Sequence, residues 1–142
     1  MERLSNRMPK YEVSAKELRT LVNPLDGKMW RVPTIEVAEV LSAQANNLFE
    51  DRIWNDVKGT IPDAEHRDFH IRRIAALLSE KSDELPVLIL ENHTTDIKAH
   101  LYDGNHRVAA AFVRGDEKIR LTIAASAPDS VTMVLSTAVL VP

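Results

Sequence analysis

The spacing of the apolar residues changes repeatedly between positions 86 and 124, and this stretch restricts the fold more than any other part of the chain. Residues 86–90 form a short apolar run between turn residues, which predicts a buried strand. Residues 97–102 alternate between apolar and polar, as a strand with one buried face does. Residues 107–114 predict a compact helix, and residues 119–124 alternate again. The first two strands must be antiparallel because the turn between them is short. We therefore predict a mixed α/β (α+β) fold, with a small, mainly antiparallel sheet flanked by helices.

The N-terminal half of the chain carries mainly helical signals. Residues 11–13 predict a short strand, and Ser14 with Glu17 three positions later forms a capping-box pattern for the helix that follows. Apolar residues at helical spacing predict a long helix over 34–59, with a break at 46–47. A second helical pattern follows, and its apolar side carries Ile71, Ile74, Ala75 and Leu78.

Length and composition predict a single domain. The chain has 142 residues, of which 44% are hydrophobic, and this is enough for one core but too little for two ordinary domains. We expect a flexible polar segment over 1–10 and one domain over 11–142. Residues 131–141 are β-branched and apolar, whereas 126–129 are typical of a helix cap, so a strand and a helix both remain open for this tail.

Charge and residue usage exclude several classes of function. The formal net charge of −3 argues against strong nonspecific binding to nucleic acid, which usually requires a large basic excess. The chain has no cysteine, which excludes disulfides, thiolate metal sites and cysteine nucleophiles. No apolar run approaches the ~18 residues of a membrane span, and the N-terminus lacks an apolar signal core. We expect a cytoplasmic protein without a membrane partner.

The most informative segment for function is Asp103-Gly104-Asn105-His106-Arg107, where a strand turns into a helix. The first amide groups of a helix have no internal partner, and the helix dipole places positive potential there. A glycine in such a turn lets an anion approach the backbone closely. The segment therefore predicts a binding site for a phosphate or carboxylate group.

Arg107 breaks a local rule at this place, because a cation near a helix N-terminus is unfavourable. An anion bound between Arg107 and the free amides would remove the conflict, and such departures often mark functional sites. The simpler interpretation is a plain turn, in which Asp103 or Asn105 caps the helix and Arg107 points into solvent.

Residues 101–111, Leu-Tyr-Asp-Gly-Asn-His-Arg-Val-Ala-Ala-Ala, with Gly115 and the strand 119–124, resemble the signature of the ParB/sulfiredoxin superfamily. The resemblance extends as a pattern from residue 11 to residue 125 and makes the segment 30–60 a helical insertion. It implies a ParB-like domain whose Gly-x-His-Arg-like loop holds nucleotide phosphates. Members of the superfamily include partition-protein CTPases, sulfiredoxins, free serine kinases and small plasmid-borne proteins reported as ATPases and DNases.

Differences between this chain and members of the superfamily exclude some of these functions. Sulfiredoxins need a cysteine in the loop, where this chain carries Asn105, so reduction of a sulfinic acid is excluded. Partition proteins carry a Glu-Arg-Arg form of the loop, followed by a helix-turn-helix. Here only about 20 residues follow the last predicted strand, so we expect no DNA-reading module. The remaining possibility is a stand-alone domain that binds a nucleotide such as ATP or CTP and hydrolyses it, transfers its phosphate or senses it.

Roles follow for the residues of the loop. Gly104, Asn105, His106 and Arg107 would hold the phosphates, and Arg107 would neutralise charge that develops during transfer. Asp103, His106 and Arg107 are the candidate catalytic residues. Asp103 is also the candidate Mg²⁺ ligand or general base, and a role as turn stabiliser is an equal alternative.

Other short patterns compete with this interpretation. The loop also resembles that of Fic-type AMP transferases, but His100 lies one residue too close to the acid, no proline follows it, and Fic domains are helical. His66 and His70 have i, i+4 spacing that could bind a metal, although a zinc protease would need glutamate where Arg67 stands.

Two functions remain open at the level of the sequence. The first is a nucleotide hydrolase with nuclease activity on DNA. The second is a non-catalytic nucleotide-sensing or DNA-associated regulator, encoded on a plasmid, phage or mobile element. A local basic patch for DNA would consist of Arg67, Arg72 and Arg73, although such a run is more often a solvated helix face.

Overall fold

A single five-stranded sheet organises the chain in the computed structural model, which describes residues 8–80, 84–92, 96–127 and 129–142. The strand order is β3-β2-β4-β1-β5. Only β2 and β4 run parallel, and the other three neighbouring pairs are antiparallel. The mixed, mainly antiparallel α/β fold predicted from the sequence is therefore confirmed. The strands are β1 (Lys10–Ser14), β2 (Val87–Asn92), β3 (Ile97–Asp103), β4 (Lys118–Ala125) and β5 (Val139–Val141).

Helices cover this sheet, and α5 is the most deeply buried of them. Every residue of α5 from Val108 to Val113 is buried, and the small side chains of Ala109, Ala110 and Ala111 let its neighbours approach closely. Helix α4 packs against α5 on one side and α2 on the other. The helices are α1 (Ala15–Leu21), α2 (Val37–Ala45), α3 (Trp54–Val57), α4 (His66–Leu77), α5 (Asn105–Arg114) and α6 (Asp129–Val134).

The long helix predicted over 34–59 is wrong. Helix α2 ends at the predicted break, because Asn47 adopts a left-handed conformation at φ 55°. The amide of Leu48 then donates to the carbonyl of Ala43, and the amide of Asn47 to that of Gln44, which closes the helix in a Schellman motif. Residues 46–53 are irregular before the single turn of α3.

The capping box predicted at the start of α1 is half right. The hydroxyl of Ser14 accepts a hydrogen bond from the amide of Glu17 at 3.2 Å. The carboxylate of Glu17 does not reach back to Ser14. It accepts from the hydroxyl of Ser136 and from the amide and hydroxyl of Thr137 instead, and it thereby ties α1 to the tail.

Both interpretations of the C-terminal tail are realised in succession, as α6 and then β5. At the other end of the chain, Lys10 already pairs with Thr122 and Val141, so β1 begins inside the segment expected to be flexible. Residues 1–7 of that expected segment, and most of the turn expected over 92–96, lie outside the described residues. Within the described part of the chain, no helix is both long enough and apolar enough to cross a membrane.

Candidate functional site

The loop between β3 and α5 has a conformation that requires glycine. Gly104 lies in the left-handed region, at φ 83° and ψ 24°. A Cβ atom at this position would lie 2.7 Å from Cα and 2.8 Å from Cβ of Pro86, closer than real Cβ contacts allow. The carboxylate of Asp103 accepts a hydrogen bond from the Gly104 amide at 2.8 Å. Asp103 thus stabilises the turn, as the simpler interpretation of this residue proposed.

Helix α5 begins directly after this turn, and within the described residues no side chain caps its N-terminus. The amide of Val108 donates to the carbonyl of Gly104 at 2.9 Å, which is the first bond of the helix. The preceding amides, of Asn105, His106 and Arg107, belong to the first turn and have no partner inside the helix. The start of α5 therefore offers amide donors together with the positive end of the helix dipole.

Arg107 is compensated by carboxylates of the protein itself. Its guanidinium lies 3.3 Å from the carboxylate of Glu84 and 4.0 Å from that of Glu80. These two side chains also relieve the unfavourable position of Arg107, so that position does not by itself require a bound anion. The Nε–H group of Arg107 is nevertheless buried and has no hydrogen-bond partner among the described residues.

The start of α5 opens into a cavity of about 370 Å³. One side of the cavity is formed by the loop residues 102–107, which include all five predicted site residues. Arg73 and Leu77 of α4 and Glu84 contribute further lining. The remaining lining comes from Trp30, Ile53, Trp54 and Asn55, all of which belong to the predicted insertion. The structure therefore brings the phosphate-loop residues and the insertion together at one cavity.

Two histidines and a tryptophan form a stack, of which Trp30 and His106 also line the cavity. Nδ1 of His70 lies 2.8 Å from Nε2 of His106, at hydrogen-bond distance. The indole of Trp30 stacks on both rings, with centroid distances of 4.2 Å to His70 and 4.5 Å to His106. The stack joins α4, α5 and the turn over Lys28–Trp30, and it fixes the ring of His106 against α4.

Both histidines of this stack are neutral at pH 7. Burial lowers the pKa of His70 from its ordinary value of 6.5 to about 3, and the nearby His66 acts in the same direction. Burial also lowers the pKa of His106 to about 3, with further contributions from His70 and Arg73. His106 therefore adds no positive charge to the site, and its Nε2 is engaged by His70 rather than directed at a ligand.

The protonated nitrogen of each histidine follows from the contacts. Nε2 of His70 is buried without a hydrogen-bond partner among the described residues. A buried N–H group without a partner is costlier than an unfilled lone pair. We infer that His70 carries its proton on Nδ1 and donates it to Nε2 of His106.

The metal pair considered for His66 and His70 does not form. Nε2 of His66 lies 2.8 Å from the carbonyl oxygen of Ile61, whereas His70 bonds to His106. Within the described residues, no group of three or more histidine or acidic side chains is arranged to hold a metal. Asp103 and Glu84 are the two exposed carboxylates in the described lining of the cavity, and Glu84 is paired with Arg107.

The three arginines considered as a basic patch do not share one surface role. Arg67 forms an ion pair with Glu39, and it donates to the carbonyl groups of Pro33 and Thr34. Arg73 donates to the carbonyl groups of residues 50 and 51, each at 3.2 Å. Only Arg72 is exposed. Two of these arginines therefore fasten the insertion to α4.

Trp30 and Trp54 are site residues that the sequence did not single out, and Arg73 was considered only as part of a basic patch. Each lies more than 25 positions before the loop, and none belongs to a recognisable motif. The only signal was indirect: the chain has two tryptophans, and both fall in the segment predicted as an insertion next to the loop.

No protein-family model, no curated protein and no solved structure matches this chain.

Proposed function

We propose that this chain binds the phosphate groups of a nucleotide, ATP or CTP, at the start of α5. The observation that carries the proposal is a convergence: an uncapped helix N-terminus, Arg73 and Arg107 all border one cavity. Its volume of about 370 Å³ falls within the range of about 300–1,000 Å³ that is usual for small-molecule sites. Phosphate oxygens bound to proteins commonly accept hydrogen bonds from amide groups at a helix start and from guanidinium groups.

The charged side chains that line the cavity are Arg73, Arg107, Asp103 and Glu84, so binding of a phosphate would depend on the two arginines. The hydrogen bonds of Arg73 go to main-chain carbonyl groups, which carry no net charge. Arg107 shares its charge with Glu84 and Glu80, so an incoming phosphate must compete with these carboxylates. A di- or triphosphate competes better than a single carboxylate, because it presents more charge and more acceptor oxygens to the same donors.

The loop's resemblance to the ParB/sulfiredoxin superfamily supports the same ligand. In this proposal the amide of Asn105 donates to the phosphates, Gly104 lets them approach the backbone closely because it has no side chain, and Arg107 neutralises charge during transfer. Mg²⁺ would be held by Asp103 together with phosphate oxygens, since one or two carboxylates plus phosphates form a common Mg²⁺ site. The bound ion would supply charge neutralisation at the transferred phosphate. The proposed activity is hydrolysis of the nucleotide, with DNA as a further substrate of the same site.

A second function, a nucleotide sensor or DNA-associated regulator without turnover, is favoured by the state of His106. The Nε2 atom of this histidine is occupied by His70, and its depressed pKa keeps the ring neutral. The loop then lacks a free histidine base, and Asp103 is the remaining candidate. The Fic-type alternative loses support, because the loop follows a strand of a five-stranded sheet rather than a helix.

Calorimetric titration with ATP and CTP, each with and without Mg²⁺, tests the proposal. We expect Arg107→Ala to weaken nucleotide binding on the order of 100-fold, because charge-assisted hydrogen bonds contribute about 1.5–3 kcal/mol each. Arg72→Ala removes the same charge from the exposed surface of α4 and is the matched control. Equal affinity of the Arg107 variant and the unmodified protein would show that the loop is not the phosphate site.

Turnover separates the two functions. Metal-dependent release of phosphate from ATP or CTP, or nicking of plasmid DNA, that is lost in Arg107→Ala supports the hydrolase. Binding without either activity supports the sensor.

A further inference from the structure

Exposed apolar side chains border the same cavity as the phosphate donors. Ile53 is 56% exposed and Tyr102 is 62% exposed, and both line the cavity. Trp54 also lines the cavity and is partly buried. Apolar surface in a polar cavity is typical of ligand-binding grooves. The cavity is therefore lined by apolar side chains as well as by charged groups.

The apolar lining around Trp54 is held in place by α4. The indole of Trp54 makes edge contacts with the rings of His70, at 4.4 Å between centroids, and of His66, at 4.8 Å. The amide of Glu50 donates to the carbonyl of Arg72, and the guanidinium of Arg73 donates back to the carbonyl of Glu50. The segment before Trp54 is thus fastened at several points. A wall that is already ordered loses little conformational entropy when a ligand binds.

We propose that Ile53, Trp54, Asn55 and Tyr102 form the binding surface for the base of a nucleoside triphosphate. This inference rests on the proposed function, which places the phosphates at the start of α5. A nucleotide matches the cavity because it combines a polyanionic end with a flat, apolar ring. Tyr102 directly precedes the phosphate loop and lines the same cavity, so a single ligand can contact both. The side-chain amide of Asn55 supplies both a donor and an acceptor for the edge of the base.

The segment 53–55 belongs to the predicted insertion and Tyr102 to β3, so the base site requires both parts of the chain. The insertion then determines which ligand is accepted, while the loop supplies affinity for any polyphosphate. Base-to-aromatic stacking tolerates different bases because every base presents a flat face. Discrimination between ATP and CTP therefore depends on Asn55, and the stacking side chains contribute affinity for both.

Two kinds of probe separate binding of the phosphates from binding of the base. We would titrate the protein with ATP and CTP, which carry a base, and with inorganic tripolyphosphate, which carries only the charge. Trp30 and Trp54 are the two tryptophans of the chain, and both line the cavity, so intrinsic fluorescence reports binding alongside calorimetry. Three variants are compared: Tyr102→Ala, Tyr102→Phe, which keeps the ring, and Met133→Ala, which removes an exposed apolar side chain on α6.

We expect Tyr102→Ala to weaken binding of ATP and CTP about tenfold while leaving the affinity for tripolyphosphate unchanged. Met133→Ala should match the unmodified protein for all three probes, and Tyr102→Phe, which keeps the ring, should recover most of the nucleotide affinity that Tyr102→Ala loses. The inference is overturned if Tyr102→Ala binds the nucleotides normally, or if the unmodified protein binds tripolyphosphate as tightly as ATP. If the unmodified protein binds none of the three probes, the phosphate site itself is refuted, and the base site with it.

Discussion

Replacing Gly104 with alanine tests whether the start of α5 depends on one close backbone contact. Gly104 has a φ of 83°, and a Cβ there would lie 2.7 Å from Cα of Pro86. A left-handed conformation costs a residue other than glycine about 1–2 kcal/mol. Forcing extra atoms into a filled space costs about 1–3 kcal/mol more. We therefore expect Gly104→Ala to lower the free energy of unfolding by about 2–5 kcal/mol.

Gly115, at the other end of α5, provides a matched control. It also lies in the left-handed region, at φ 77°, but a Cβ there would meet no atom within 4 Å. Gly115→Ala should therefore lower the free energy of unfolding only by the cost of the left-handed conformation, about 1–2 kcal/mol. Both free energies are measured by urea denaturation followed by circular dichroism, in which equal slopes would indicate that the two variants expose similar surface on unfolding.

The difference between the two variants isolates the contact with Pro86. We expect Gly104→Ala to be the less stable by about 1–3 kcal/mol. We also expect it to bind ATP more weakly at a temperature where it remains folded, because the first turn of α5 must shift away from Pro86. Equal losses of stability in the two variants would refute the role assigned to the contact. Unchanged ATP affinity in Gly104→Ala would refute the role assigned to the loop geometry.

Three further predictions follow from the neighbouring contacts. First, the pKa of His70 and that of His106 are lowered in the folded state, so the unfolded chain binds more protons between about pH 6.5 and pH 3. The contribution of these two histidines to the free energy of unfolding is therefore fully present above about pH 6.5. As the pH falls it decreases by up to about 1.4 kcal/mol per pH unit for each additional proton that the unfolded chain binds, and His70→Phe should make this dependence shallower. Second, Glu84→Gln should strengthen ATP binding severalfold in calorimetry, because Arg107 loses a competing carboxylate; weaker binding would mean that Glu84 itself assists the ligand. Third, Arg67→Ala should destabilise the protein by about 1–2 kcal/mol in urea denaturation, because it removes hydrogen bonds that hold the insertion to α4, and unchanged stability would show that these contacts are dispensable.

The parts of the fold that could be predicted from the sequence depend on local signals. Alternation in β3 and the Gly115 stop of α5 are properties of neighbouring residues, and the structure confirms both. The end of α2 was also foreseeable, because asparagine tolerates the left-handed conformation that Asn47 adopts. Extension of that helix to residue 59 was wrong because spacing alone does not show burial: Leu48 and Phe49 continue the helical period but are 44% and 46% exposed.

The candidate site was predicted only in part, for the same physical reason. The loop 103–107 is contiguous, and its glycine, asparagine and arginine carry their signal in the sequence. The stack of Trp30, His70 and His106 joins positions that lie 40 and 36 residues apart, and no periodicity connects them. The pairing of Arg107 with Glu80 and Glu84 was equally invisible, because it depends on how the chain after α4 returns to the sheet.

The most direct test of the central claim is a two-dimensional amide NMR titration of the ¹⁵N-labelled protein with ATP and with tripolyphosphate. If the free amides at the start of α5 hold the phosphates, the signals of Asn105, His106 and Arg107 should shift most with both ligands, and saturate at the affinity found by calorimetry. Signals of these three amides that stay in place while either ligand binds elsewhere would contradict the proposed site.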